Sequence, residues 1–102
     1  MSIKVQTLKE GSQLVIGVAE RFDFSLHQQF RDSYIDAKTS NTEFILDLSL
    51  TTYMDSSALG MILLLKDHAE NLSGAVIIKK PSETVKKILE IAQFHRLLTI
   101  EN

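Results

Sequence analysis

The sequence predicts a single α/β domain, residues 1–102, with a mixed sheet of four to five strands in the order ββαβαβα and a possible last strand. Three observations carry this reading. Residues 2 to 18 have the alternation and central turn of a hairpin. Two near-continuous apolar runs, Phe44 to Leu48 and Ala75 to Ile78, have the composition of strands covered on both faces. Helical apolar stripes separate and follow these runs, and strands alternating with helices imply a largely parallel segment with right-handed crossovers.

Each element has its own local signal. Ile3, Val5 and Thr7 alternate with polar neighbours, Glu10-Gly11-Ser12 marks a turn, and Leu14 to Val18 forms the second strand of the hairpin. Ser25 followed by Gln28 fits a capping box, and Leu26, Phe30, Tyr34 and Ala37 fall at helical spacing, so a helix is expected over 25–39. Ser40-Asn41-Thr42 breaks it. After the Phe44 to Leu48 strand comes a short polar connector, then a helix from about Ser56 to Asn71, stopped by Ser73-Gly74. Ser82 is the expected N-cap of the last helix, with Glu83 in its first turn and a stripe of Val85, Ile88, Leu89 and Ala92. Leu97 to Ile100 is the possible final strand.

Composition excludes several classes. A net charge of −2 over 102 residues makes no electrostatic case for nucleic-acid binding. There is no cysteine, so disulfides, thiolate catalysis and zinc–sulfur sites are ruled out. His27, His68 and His95 do not have a metal-ligand spacing and read as surface or boundary residues. No P-loop, GxGxxG or G-x-S-x-G motif occurs. The N-terminus has no apolar signal segment, and the run Ala58 to Leu65 is far shorter than the roughly 20 residues of a membrane span. The expectation is a cytoplasmic protein that is not an enzyme, with no cofactor, metal or membrane association. Lys79, Lys80, Lys86 and Lys87 read as a solvated face.

The richest segment is Tyr53-Met54-Asp55-Ser56-Ser57-Ala58-Leu59-Gly60. It delivers an acid and two hydroxyls to a helix start, where backbone N–H groups are unpaired and the macrodipole is positive. Asp55 and Ser56 at such a place suit a plain N-cap; they equally suit a phosphorylated hydroxyl. Met54, Met61 and Leu64 either surround the motif as a docking surface or belong to the core. Asp47, in an apolar strand, needs a partner such as a loop amide.

The strand, the YMDSSALG motif and the apolar helix resemble the phosphoacceptor segment of STAS domains, the anti-sigma factor antagonists. Glu20-Arg21-Phe22-Asp23, Leu46-Asp47-Leu48, the Lys-Pro-Ser connector and Val85 to Glu90 extend the resemblance over nearly the whole chain. It implies a STAS-like fold and partner switching. The unphosphorylated domain would bind an anti-sigma factor that is a serine kinase with a histidine-kinase-like ATPase fold. Phosphorylation of Ser56 would release that partner, and a metal-dependent serine phosphatase would reset the switch. Asp23, Met54, Asp55, Ser57, Ala58 and Met61 are the implied partner-binding residues, on a monomer or weak dimer. Many members carry glycine where this chain has Ala58, a change expected to alter how closely a partner's backbone approaches. A scaffold or transport- or lipid-associated STAS subunit is the alternative within the fold. A small ligand-binding domain is the alternative outside it, and would show a deep polar pocket at 53–57. Phosphate adds about −1.5 to −2 charges, beside Asp55 and, if it folds nearby, Asp23. A coupling of ~3 kcal/mol changes affinity about a hundredfold.

Overall fold

In the computed structural model, which describes residues 2–102, the chain runs β1 (Ile3–Leu8), β2 (Gln13–Val18), β3 (Glu20–Phe22), α1 (His27–Asp32), β4 (Glu43–Asp47), β5 (Thr51–Met54), α2 (Ser56–Asn71), β6 (Ala75–Lys79), α3 (Glu83–Ile91) and β7 (Thr99–Glu101). Single 3₁₀ turns at Phe24–Leu26 and Phe94–Arg96 lead into α1 and β7. The main sheet has five strands in the order β1-β2-β4-β6-β7, antiparallel only between β1 and β2. The hairpin, the mixed sheet and the last strand are as the sequence predicts. A second, two-stranded sheet pairs β3 with β5 in parallel. The sequence reading had the β5 segment as a polar connector.

Alternation decides the layers. Leu14, Ile16 and Val18 of β2, Phe44 and Leu46 of β4, and Val76 and Ile78 of β6 point into one core with Phe30, Ile62, Leu65, Val85 and Leu89 from the helices. The opposite face of the sheet carries Val15, Ile45 and Ile77, none of which belongs to that core. Asp47 Oδ1 accepts from the Ser49 amide at 2.9 Å, the loop partner its position demanded.

The first helix is shorter than the spacing suggests. After Asp32 i→i−3 bonds from the Tyr34 amide to Arg31 O and the Ala37 amide to Tyr34 O mix with a last α-type bond from the Ile35 amide to Arg31 O, and the Ser33 hydroxyl donates to Phe30 O at 2.5 Å. A serine that bonds back to the helix competes with the helical ladder. Tyr34 is still buried, and His68 Nε2 lies 2.9 Å from the Ala37 carbonyl, so this irregular tail remains tied to α2. The expected Ser25–Gln28 capping box does not form: Asp23 caps this turn, and Gln28 bonds Asp32.

The end of α2 also differs from its sequence signal. Ser73, not Gly74, takes the left-handed position (φ 58°). The Gly74 amide donates to Ala69 O at 2.8 Å and the Ser73 amide to Glu70 O at 3.0 Å, a Schellman closure. Glycine is needed at 74 for space, because a Cβ there would sit 2.0 Å from the Thr42 carbonyl oxygen. Gly74→Ala is therefore expected to lose about 1–3 kcal/mol of stability through this backbone clash. Thermal unfolding checks it, and an unchanged melting temperature would show that the two segments do not approach so closely.

Candidate functional site

Two acids lie side by side because two short strands do. β3 and β5 pair Arg21 with Tyr53 and Phe22 with Met54, and each strand is followed directly by an aspartate, Asp23 and Asp55. Buried Phe22 and Met54 anchor the pair from below. Thr51 Oγ1 donates to Val18 O at 2.6 Å, and the Glu20 amide donates to Leu50 O at 2.8 Å. The Asp55 amide reaches Phe22 O at 3.4 Å, which carries the ladder up to the two acids.

Each aspartate then starts a helical segment. Asp23 has extended backbone geometry, and its Oδ1 accepts from the Ser25 amide (3.0 Å) and the Ser25 hydroxyl (2.5 Å). Asp55 does the same one strand over: Oδ1 accepts from the Ala58 amide at 3.2 Å and the Ser57 hydroxyl at 2.6 Å. Side-chain acceptors at these positions satisfy otherwise unpaired helix-start amides. Ser25's hydroxyl and amide hold the Asp23 carboxyl below its ordinary range, with smaller help from Arg21. Arg21 Nε lies 3.4 Å from Asp23 Oδ2, and its guanidinium sits 4.4 Å from the centre of the Tyr53 ring.

Ser56 stands apart from this network. It is the first helical residue of α2, it is exposed, and its hydroxyl enters none of the Asp55 bonds. From Ser56 an exposed stripe continues along α2 at helical spacing through Gly60, Leu63 (37% exposed) and Leu64 (51% exposed). Gly60 has nothing within 4 Å of the position its Cβ would occupy. Phe24, 64% exposed and stacked on His27, stands beside Asp23. Clefts of about 440 and 240 Å³ lie elsewhere, one lined by residues of β1, β2 and the β4–β5 turn, the other by residues of α2, β6 and the start of β7. Neither takes its walls from 53–57.

A family model described as "STAS domain" matches residues 4–102. The chain belongs to the STAS-domain family. A STAS-domain containing protein of Pseudomonas aeruginosa (strain UCBPP-PA14) is 41% identical over 100 residues, covering 98% of this chain and 99% of that protein. The fold is similar to a putative anti-sigma factor antagonist of Thermotoga maritima (TM-score 0.84, 18% identity, 98% of this chain and 86% of that one). It is also similar to the anti-sigma factor antagonist SpoIIAA in its unphosphorylated form (TM-score 0.73, 20% identity, 98% and 87% covered). The phosphorylated form of the Bacillus cell fate determinant SpoIIAA gives a TM-score of 0.72 at 20% identity, with 98% and 91% covered.

Within this STAS domain, the residues expected at the partner surface separate into two groups. Asp23, Asp55 and Ser57 lie half-buried around exposed Ser56. Met54, Ala58 and Met61 do not: they are 3%, 0% and 4% exposed and pack in the core. Their positions on β5 and α2 turn them inward, so the docking role expected of their side chains is corrected. The significance expected of Ala58 changes too. Its methyl faces the core, and the exposed backbone on α2 is that of Gly60, one turn after Ser56. Arg21, Tyr53, Phe24, Gly60 and Leu63 were missed in the sequence. Counting four, seven and eight residues on from Ser56 finds Gly60, Leu63 and Leu64; Arg21 and Tyr53 meet only through the β3–β5 pairing.

The Asp23 cap carries a pH signature. Its folded pKa is lowered from 3.8, so its contribution is fully present above about pH 4 and is lost as pH falls through the lowered folded value. Asp23→Asn keeps a good capping group without the titration. The melting temperature of the wild type should therefore fall more steeply with acid than that of Asp23→Asn. Parallel acid profiles would show that this carboxylate is not linked to folding.

Proposed function

We propose that this STAS domain is an anti-sigma factor antagonist switched by phosphorylation of Ser56, with the exposed α2 stripe and the two capping acids as its docking face. The observation that carries this reading is the division of labour between adjacent hydroxyls. Ser57 is committed to Asp55, whereas Ser56 is exposed at a helix start. A kinase needs an accessible hydroxyl, and a phosphate there meets unpaired amides and the positive end of a 16-residue helix. SpoIIAA, solved in both phosphorylated and unphosphorylated forms, supports the analogy at the level of the fold.

The partner in this reading is an anti-sigma factor that is also a serine kinase, bound when Ser56 is free and released when it is phosphorylated. A metal-dependent serine phosphatase restores the free form, and the cycle runs in the cytoplasm. The release follows from charge. Asp23 and Asp55 already place two carboxylates beside Ser56, and a phosphate adds about −1.5 to −2 charges to the same patch. A partner that packs against Gly60, Leu63 and Leu64 must then desolvate that charge. Folding is little affected, because the helix N-terminus compensates the phosphate locally. Clefts lying away from 53–57 favour a protein partner over a small ligand at this loop.

Incubation with the cognate kinase and ATP should add one phosphate, mapped by peptide mass spectrometry to Ser56. Labelling that persists in Ser56→Ala, or that falls on Ser57 alone, contradicts the assignment. Calorimetric titration against the partner should rank Ser56→Ala with the unmodified protein, then Ser56→Asp, then the phosphoprotein as weakest. Equal affinity of phosphoprotein and Ser56→Ala would end the switch reading.

Gly60→Leu separates docking from folding. The site has room for a side chain, and glycine in a helix interior costs roughly 1 kcal/mol relative to the best helix formers. The variant should melt at or above the wild-type temperature yet lose at least tenfold in partner affinity. Unchanged affinity would place the partner elsewhere.

A further inference from the structure

We propose that the open face of the sheet is a self-association surface, on which two copies meet with Gly17 against Gly17 and each Lys4 over the second copy's Asp47. The starting point is one cross-strand row. The register places Lys4, Gly17, Asp47, Lys79 and Glu101 next to one another across all five strands, on the face away from the helices. Lys79 and Glu101 already form an ion pair at 3.7 Å. Among the described residues Lys4 and Asp47 form no ion pair, although one Asp47 oxygen accepts from the Ser49 amide and Lys79 is its neighbour on β6. Gly17 stands between Lys4 and Asp47, which puts their Cα atoms about 9–10 Å apart, two strand spacings.

Gly17 has no internal reason to be glycine. Its φ is not positive, and a Cβ would meet only the Lys4 carbonyl oxygen at an ordinary 3.9 Å. Glycine inside a strand weakens a sheet and marks a place where a ligand or another backbone comes close. Here it floors a cleft of about 440 Å³ that also takes its walls from Lys4, Gln6, Val15, Asp47 and Leu50. Leu50 is 68% exposed at the rim.

The charges select the occupant. A two-fold axis parallel to β2 and above Gly17 exchanges the β1 side with the β4 side. It sets Lys4 over the second copy's Asp47 and Asp47 over the second copy's Lys4, so the row is complementary to itself. The same operation stacks Val15 on Val15 and carries each Leu50 toward the other copy's cleft. Sheets packed face to face within about 30° of alignment are an ordinary arrangement. The shared area is three strands wide and six residues long, about 300 Å² per copy. A total near 600 Å² falls below the roughly 1,200 Å² of stable complexes, so the association is weak and reversible. α2 packs on the other face of the sheet, so Ser56 stays open in both copies.

Sedimentation equilibrium of the intact chain from about 10 μM to 1 mM, concentrations high enough to populate a weak dimer, reads the association directly. The wild type should move from monomer toward dimer mass, less so in 0.5 M salt, which screens the pairs. Lys4→Glu and Leu50→Asp, both at exposed positions, should each weaken association at least tenfold. Lys4→Glu combined with Asp47→Lys should restore it. If the double variant melts early because the Asp47–Ser49 turn is lost, the two single variants decide. A wild type that is monomeric at about 1 mM overturns the proposal, as does a dimer indifferent to both single changes. A monomer whose Val15, Gly17 and Leu50 amide resonances shift with 8-anilinonaphthalene-1-sulfonate would instead make the cleft a small-molecule site, and would overturn it too.

Discussion

The site depends on a parallel pairing of two very short strands, β3 and β5, outside the main sheet. Short isolated strand pairs are weak in water, and this one is held by what lies beneath it. Phe22 is fully buried with its ring centre 5.0 Å from that of Phe30, and Met54 is buried beside the same core. Thr51 is buried with its hydroxyl on Val18 O, and its carbonyl accepts from the Ser82 hydroxyl at 2.8 Å. The start of α3, the end of β2 and β5 are thereby one hydrogen-bonded unit. Removing the pairing would separate Asp23 from Asp55 and release the start of α2.

The two aspartates show how one residue type does structural and electrostatic work at once. Each spends one oxygen on a serine two residues on and on a backbone amide at a helix start. That use keeps each carboxylate near the surface and, for Asp23, firmly ionised. It also decides which hydroxyl is free. Ser57 is captured by Asp55, while Ser56, one residue nearer in sequence, is exposed and takes no part in that bond. Asp47 follows the same logic away from Ser56: its carboxylate closes the turn at Ser49 that leads the chain from β4 into β5.

Three glycines illustrate three separate physical demands. Gly74 is required by the interior, because the Thr42 carbonyl occupies the place of its side chain. Gly60 and Gly17 meet no such obstacle and lie on opposite faces of the molecule, one on the exposed side of α2 and one on the uncovered face of the sheet. Each exposes backbone beside solvent-exposed apolar or charged side chains. The domain thus has two surfaces open to association, one carrying Ser56 and one remote from it.

The sequence by itself determined the fold class, the succession along the chain of the helices and the main-sheet strands, the extents of α2 and α3, and the likeness of the Asp55-Ser56 segment to a phosphoacceptor. These are local or periodic properties: apolar runs, 3.6-residue stripes and a capping acid can be read within a dozen residues. Asp47's need for a loop partner was legible for the same reason. Tertiary structure alone decided that Thr51–Met54 is a strand, since it is extended only by pairing with a segment some 30 residues earlier. It decided that Met54, Ala58 and Met61 are core, because helix periodicity shows a stripe but not which side the sheet covers. It also brought Arg21 onto Tyr53 and Asp23 beside Asp55. Such contacts depend on register between strands distant in the chain, and no local pattern in either strand encodes the other's position.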